Sequence, residues 1–170
     1  MRVTNIIGTA VIAATLVLCP ALGAQPRPCS LLTTQDVTAI AGEASGTGYP
    51  DDSAGDADEF GARRWACAWG AGDGNVAIVV LKFPTVAAAT QFMTDAPRSR
   101  RMIPADIRQL TSEPGVGQQA WWGVSPSSAL LITRRNDSLL ILARDGQVAS
   151  ASTLRAKMRL AMEAALTRAP

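Results

Sequence analysis

The sequence predicts an α+β domain with a largely antiparallel sheet and about three helices. Three observations carry that class. Strand-like runs sit in neighbouring pairs joined by short polar turns, as hairpins require. The apolar period changes to helical spacing elsewhere, most clearly near the C-terminal end. The elements then fall in the order helix, strand, strand, helix, followed by strand, strand, strand, helix.

The N-terminal stretch reads as something other than a domain element. Arg2 is followed by an uncharged, mostly apolar run from Ile6 to Leu18, and Pro20 to Ala24 ends in small residues. This is the layout of a cleaved secretory signal over 1–24, with one domain over 25–170. The run is shorter than the roughly 20 apolar residues of a membrane span, so no stable span is expected after cleavage. The expected location is periplasmic or secreted. Leu18 stands where a lipoprotein signal wants a small residue before its cysteine, which disfavours a lipid anchor at Cys19.

Cleavage leaves Cys29 and Cys67, and two cysteines allow one internal pairing. The alternative is a redox or metal-binding pair. Their spacing is far from C-x-x-C, and no histidine exists to complete a zinc set, so a structural disulfide is the expectation.

Pro26 and Pro28 stiffen the start of the domain. Thr33 or Thr34 can cap a first helix through a hydroxyl that accepts a first-turn N–H. Asp36 sits at the positive end of its dipole, Val37, Ile40 and Ala41 share a face, and Gly42 stops it. Glu43 to Gly61 has turn residues and no apolar periodicity, so it reads as a mobile loop. It carries Asp51, Asp52, Asp56, Asp58 and Glu59 without a basic residue. A calcium site is the alternative, but the spacing fits no EF-hand, and no metal site is expected.

Arg63 to Gly70 reads as a strand with Trp65, Cys67 and Trp69 on one side. Trp65 and Trp69 are expected to pack around the disulfide. A glycine-rich turn leads to a second strand, Val76 to Phe83, with Ala77, Val79, Leu81 and Phe83 on one side. Val86 to Thr94 looks helical, with Val86, Ala89, Thr90 and Met93 on its apolar face, and Pro97 ends it. Gln118 to Val124, Ser128 to Arg134 and Ser138 to Arg144 are three further strands, and Asn136-Asp137 makes a tight turn between the last two. Their two faces are expected to carry Leu130, Ile132, Leu140 and Leu142 on one side and Leu131, Leu139 and Ile141 on the other. That points to a central position covered on both faces, or to one face kept for a partner. Leu154, Met158, Ala161, Met162 and Ala165 form one stripe of the last helix, flanked by Arg155 and Arg159.

Composition removes several chemistries. With no histidine, Ser-His-Asp and Cys-His constellations are absent. Lys82 and Lys157 are the only lysines, and neither lies in a Ser-x-x-Lys frame. The G-A-G-D-G run at Gly70 to Gly74 joins two strands, whereas a phosphate-binding loop opens a helix. Without Arg2 the chain has 15 basic and 14 acidic residues, so nothing marks nucleic acid as a partner. No catalytic residue and no cofactor is expected.

The remaining lead is aromatic. Trp121 and Trp122 are adjacent in a strand and point to opposite faces, so burying one leaves the other for solvent or a cleft. Arg98, Arg100, Arg101 and Arg108 form a basic patch, opposed in its segment by Asp106 alone. Trp and Arg favour interface hot spots, so Trp121, Trp122, Arg98, Arg100 and Arg101 are the candidate binding set.

The run Cys29-Ser30-Leu31-Leu32-Thr33, then Asp36-Val37 and Gly42, and later Cys67-Ala68-Trp69, resembles a pattern in small bacterial envelope proteins. Many of these are actinobacterial lipoproteins of unknown function. Gly115-Val116-Gly117 followed by Ala120-Trp121 is similar to their glycine turn before an aromatic strand. The resemblance implies a secreted α+β domain with a Cys29–Cys67 bridge and carries over no catalytic residue. Residues and resemblance together suggest a non-enzymatic recognition domain for an envelope protein, a peptide or a small ligand. An inhibitor acting on a specific enzyme is the second reading, and a carboxylate-dependent cell-wall hydrolase the third.

Overall fold

The structure is a computed structural model that describes residues 27–42, 46–50, 61–71, 74–99 and 103–169. The expected signal segment with Cys19, the acidic residues 51–59, and Arg100 and Arg101 lie outside the described residues.

Three α-helices are described: α1 (Thr34–Ala41), α2 (Val86–Asp95) and α3 (Ala151–Arg168). The strands are β1 (Tyr49–Pro50), β2 (Arg63–Ala71), β3 (Gly74–Lys82), β4 (Leu110–Ser112), β5 (Gln119–Val124), β6 (Ser128–Arg135) and β7 (Ser138–Asp145). They form one seven-stranded sheet in the order β1-β2-β3-β7-β6-β5-β4, with antiparallel pairing throughout. The fold is α+β, with a disulfide joining Cys29 to Cys67.

β7 lies at the centre, which explains why both of its faces are apolar. One face of the sheet meets α1 and α3 through Cys67, Trp69, Ile78, Leu131, Leu142 and Trp122. The other meets α2 and the segment before β4 through Leu81, Leu130, Ile132, Leu139 and Ile141. This corrects the expected faces of β6 and β7. The two-residue turn Asn136-Asp137 pairs Arg135 with Ser138, so Leu131 lies opposite Leu142 and Ile132 opposite Ile141. Directly opposed residues share a face. Leu139 and Ile141 therefore belong with Leu130 and Ile132, while Leu140 and Leu142 belong with Leu131. Asn136 takes a φ of 56°, the left-handed conformation that such a turn demands.

The turn is also tied to β3. Lys82 Nζ donates to Asp137 Oδ1 at 2.7 Å, and Phe83 N–H donates to the Asp137 carbonyl at 2.9 Å.

Two short edge strands extend the expected layout. β1 lies within the stretch expected to be a loop, and its Pro50 is tolerable because an edge strand has an unpaired side. Gly48 precedes it, where a Cβ would come within 2.6 Å of both Cys67 Sγ and the Trp69 ring. The chain crosses the disulfide so closely that only glycine fits. Trp69 shares the cluster of Cys67, as expected. Trp65 is buried on its own part of β2, with the Arg63 guanidinium 6.0 Å from its ring centre.

α2 is rotated slightly from the expected face. Ala89 and Met93 are buried, with Ala88 and Phe92 beside them, but Val86 is 50% exposed and Thr90 is also exposed. Val86 is the first helical residue, directly after the Thr85 cap. The stripe of α3 is buried at all five expected positions.

α1 has eight residues, too few to be stable alone. Thr33 rather than Thr34 caps it, within a reciprocal box. Thr33 Oγ1 accepts from the Asp36 N–H at 3.1 Å, and Asp36 Oδ2 accepts from the Thr33 N–H at 2.9 Å. Arg168, in the last turn of α3, donates to Asp36 Oδ2 at 2.9 Å and to the Leu31 carbonyl at 2.7 Å.

Burial pushes the Asp36 carboxyl up, but the Thr33 backbone and hydroxyl donors and the Arg168 guanidinium outweigh it, and the net shift is down. A depressed carboxyl stabilises the fold above its unfolded value of 3.8, and that contribution disappears as pH falls through the folded value. Asp36→Asn should cost about 1 kcal/mol near neutral pH. Thermal melts at about pH 6 and about pH 3 should show a smaller acid-induced drop in the variant than in the wild type. Equal drops would rule out Asp36 as a source of acid lability.

Candidate functional site

The adjacent tryptophans of β5 point to opposite faces, and each leads to a different concavity. Neither is an exposed anchor. Trp122 is 5% exposed and enters the core beside α3. Trp121 is half-buried and packs against the cluster under α2.

The Trp121 ring is fixed by a backbone defect that the sequence creates. In a continuing helix the Met93 carbonyl would accept from the N–H four residues on. That residue is Pro97, which has no N–H. Trp121 Nε1–H supplies the missing donor at 2.8 Å. The expected helix stop and the expected aromatic lead are therefore two halves of one contact, which locks the end of α2 to the sheet.

Beside that contact α2 leaves an apolar pocket of about 250 Å³. Phe83, Ala88, Phe92, Ala96, Ile103 and Ile132 supply its apolar lining, with Gln91, Asp95 and Ser99 as its polar members. Phe83 and Phe92 stack at a tilt, with ring centres 5.2 Å apart. Gln91 Nε2 donates to Asp95 Oδ2 at 2.8 Å. Arg98, of the expected basic patch, is exposed in the short 3-10 turn Ala96–Arg98 that carries Ala96 of the lining. No sequence signal marks this pocket, because its walls come from the residue after β3, α2 and the turn that follows it, the segment before β4, and β6.

The Trp122 side holds a cleft of about 530 Å³ between α3 and the turn that joins β4 to β5. Glu113 is 4% exposed there. Its carboxylate accepts from Arg155 Nε at 2.6 Å and from Arg159 Nη1 at 3.2 Å. Arg159 Nε also bonds Glu163 Oε1 at 3.0 Å. Gly115, at φ 82°, makes room for the second arginine, since a Cβ would lie 2.8 Å from Arg159 Nη2. Two arginines flanking the α3 stripe were visible in the sequence. The buried glutamate that gathers them was not, because one carboxylate before a Pro-Gly turn carries no periodic signal.

A third polar cluster forms where β5 turns into β6. Asp106 accepts from the hydroxyls of Ser125, Ser127 and Ser128; the Ser127 bond is 2.7 Å and the Ser128 bond to Oδ1 is 2.8 Å. Hydrogen bonds from Ser125, Ser127 and Ser128, in decreasing order, hold its carboxyl well below the usual carboxylate range. A carboxylate so stabilised is a weak base. The cluster braces the turn against the segment before β4.

Among the described residues, no group of three or more His, Cys, Asp or Glu side chains could hold a metal ion. No described helix is long and apolar enough to cross a membrane. No protein-family model matches the chain, and no curated protein matches it. Among solved structures, the extracellular domain of PknH from Mycobacterium tuberculosis is similar, with a TM-score of 0.49 and 10% identity. That match covers 86% of this chain and 100% of the PknH domain.

Proposed function

We propose that this chain is a non-enzymatic recognition domain working outside the cytoplasm, and that it takes a small apolar ligand in the α2 pocket. The observation that carries this reading is the pocket itself. Its wall is aliphatic and aromatic, with a few polar groups, which is the usual make-up of a ligand site. Its size bounds the ligand. An apolar cavity of about 150 Å³ holds benzene, and drug-sized ligands fill roughly 300–1,000 Å³. A volume of about 250 Å³ suits a ring with a short chain, or a fused pair of rings. The secretory leader read from the sequence supports the location, as does a disulfide, which persists in oxidising compartments.

The test uses N-phenyl-1-naphthylamine, a neutral apolar dye that brightens when shielded from water. Wild-type protein should brighten it saturably. Ala88→Trp, which fills the pocket from a half-buried wall position, should weaken binding at least tenfold, roughly 1.4 kcal/mol, without lowering the melting temperature. No saturable signal in the wild type, or equal affinity in a folded Ala88→Trp, would defeat the reading.

A further inference from the structure

We propose a second ligand site on the opposite side of the sheet, in the cleft over Trp122, for a small organic carboxylate with an apolar body. The inference does not depend on the α2 pocket. It starts from the donor inventory of two arginines.

A guanidinium carries five N–H donors. Arg155 uses its Nε on Glu113, and its Nη1 and Nη2 make no hydrogen bond among the described residues. Arg159 uses Nε on Glu163 and Nη1 on Glu113, which leaves its Nη2 donors. Both side chains are about two-fifths exposed, at 42% and 40%, so the spare donors are reachable from solvent. The two guanidiniums are matched by two carboxylates, Glu113 inside the cleft and Glu163 beside it on α3. What remains for a ligand is therefore the set of spare N–H donors, not an unbalanced charge.

Glu113 also sets the geometry. A free surface arginine loses side-chain entropy when it grips a ligand. Here the buried carboxylate already holds both guanidiniums at the cleft. A planar carboxylate matches the fork of a guanidinium and can take two N–H donors together. Trp122, Pro114 and Ala156 line the same cleft and offer apolar contact for the rest of the molecule. The volume of about 530 Å³ admits an aromatic acid readily. A bare inorganic anion would leave the apolar lining unused.

The experiment titrates the protein with 3-phenylpropionate and follows the Trp122 indole N–H by NMR. The uncharged 3-phenylpropanamide serves as the matched control. The expected result is a saturable shift of the Trp122 resonance with the acid and not with the amide. Arg155→Gln should weaken binding about tenfold or more, since it removes charge-assisted bonds, and Arg155→Lys should recover only part of it. Arg155 is half-exposed, so the folded state of both variants can be confirmed by their unchanged spectra elsewhere. The site is overturned by no saturable Trp122 shift at millimolar acid, by an equal response to the amide, or by full affinity in folded Arg155→Gln. Because the reporter is Trp122, failure here leaves the dye result at the α2 pocket standing, and the reverse also holds.

Discussion

Replacing both Cys29 and Cys67 by alanine should lower stability by roughly 4 kcal/mol, the chain-entropy value for a loop of this length. The sequence separation is 38 residues. For a domain of this size that corresponds to a fall in melting temperature of roughly 10–15 °C. The location of the bridge argues for the full effect. Cys67 is completely buried near the middle of β2, among Trp69, Leu31 and Leu32. Cys29 lies in the 3-10 turn that immediately precedes α1. The bridge thus ties a short helix to the sheet, and Arg168 supplies the other tie. Loss should be uneven along the chain. Amide exchange in α1 should accelerate more than in β7, which is paired on both sides. A double variant melting within about 2 °C of wild type would show that burial of Leu31, Leu32, Val37 and Ile40 holds α1 without the bridge.

The parts of the fold that were legible are those where a period repeats. Alternation through Arg63 to Gly70 places Cys67 and Trp69 together, and the spacing of Leu154 to Ala165 gives the buried stripe of α3. The period alone fails at β6 and β7, because both faces are apolar and alternation then carries no sense of inside. Only the turn length decides which residues share a face, and the two-residue turn at Asn136-Asp137 inverts the expected grouping of β7. The edge strands β1 and β4 have two and three residues, too short for any period. The candidate site was less legible. Strand alternation places Trp121 and Trp122 on opposite faces, but it does not say which enters the core; Trp122 is buried and Trp121 half-buried. Pro97 and Trp121 are 24 positions apart, and nothing local links a missing N–H to an indole that replaces it. Glu113 and Arg155 are separated by 42 residues, and only the packing of α3 brings them together.

Trp122→Ala should cost about 3–5 kcal/mol, the range for truncating a large buried aromatic, and this separates a core role from a surface one. An exposed anchor removed by the same change would alter stability by no more than about 0.5 kcal/mol. Trp122 sits opposite Leu131 on β6 and Thr111 on β4, so its loss opens a hole next to an edge strand of only three residues. The expected damage therefore includes early fraying of β4, visible as faster exchange there. Trp121 should behave differently. Trp121→Phe keeps an aromatic ring under α2 but removes the indole N–H. The Met93 carbonyl then has no donor, since Pro97 cannot replace it, and about 1–3 kcal/mol is expected for an orphaned buried acceptor. Restoring an N–H in the helix tests the cause. In a Trp121→Phe background, Pro97→Ala should recover part of the loss, whereas in the wild type the same change gains little because Trp121 already satisfies that carbonyl. Chemical denaturation of the four proteins measures the coupling directly. Additive energies would mean that the bond between Trp121 and Met93 contributes nothing, and that Trp121 stabilises α2 by apolar contact alone.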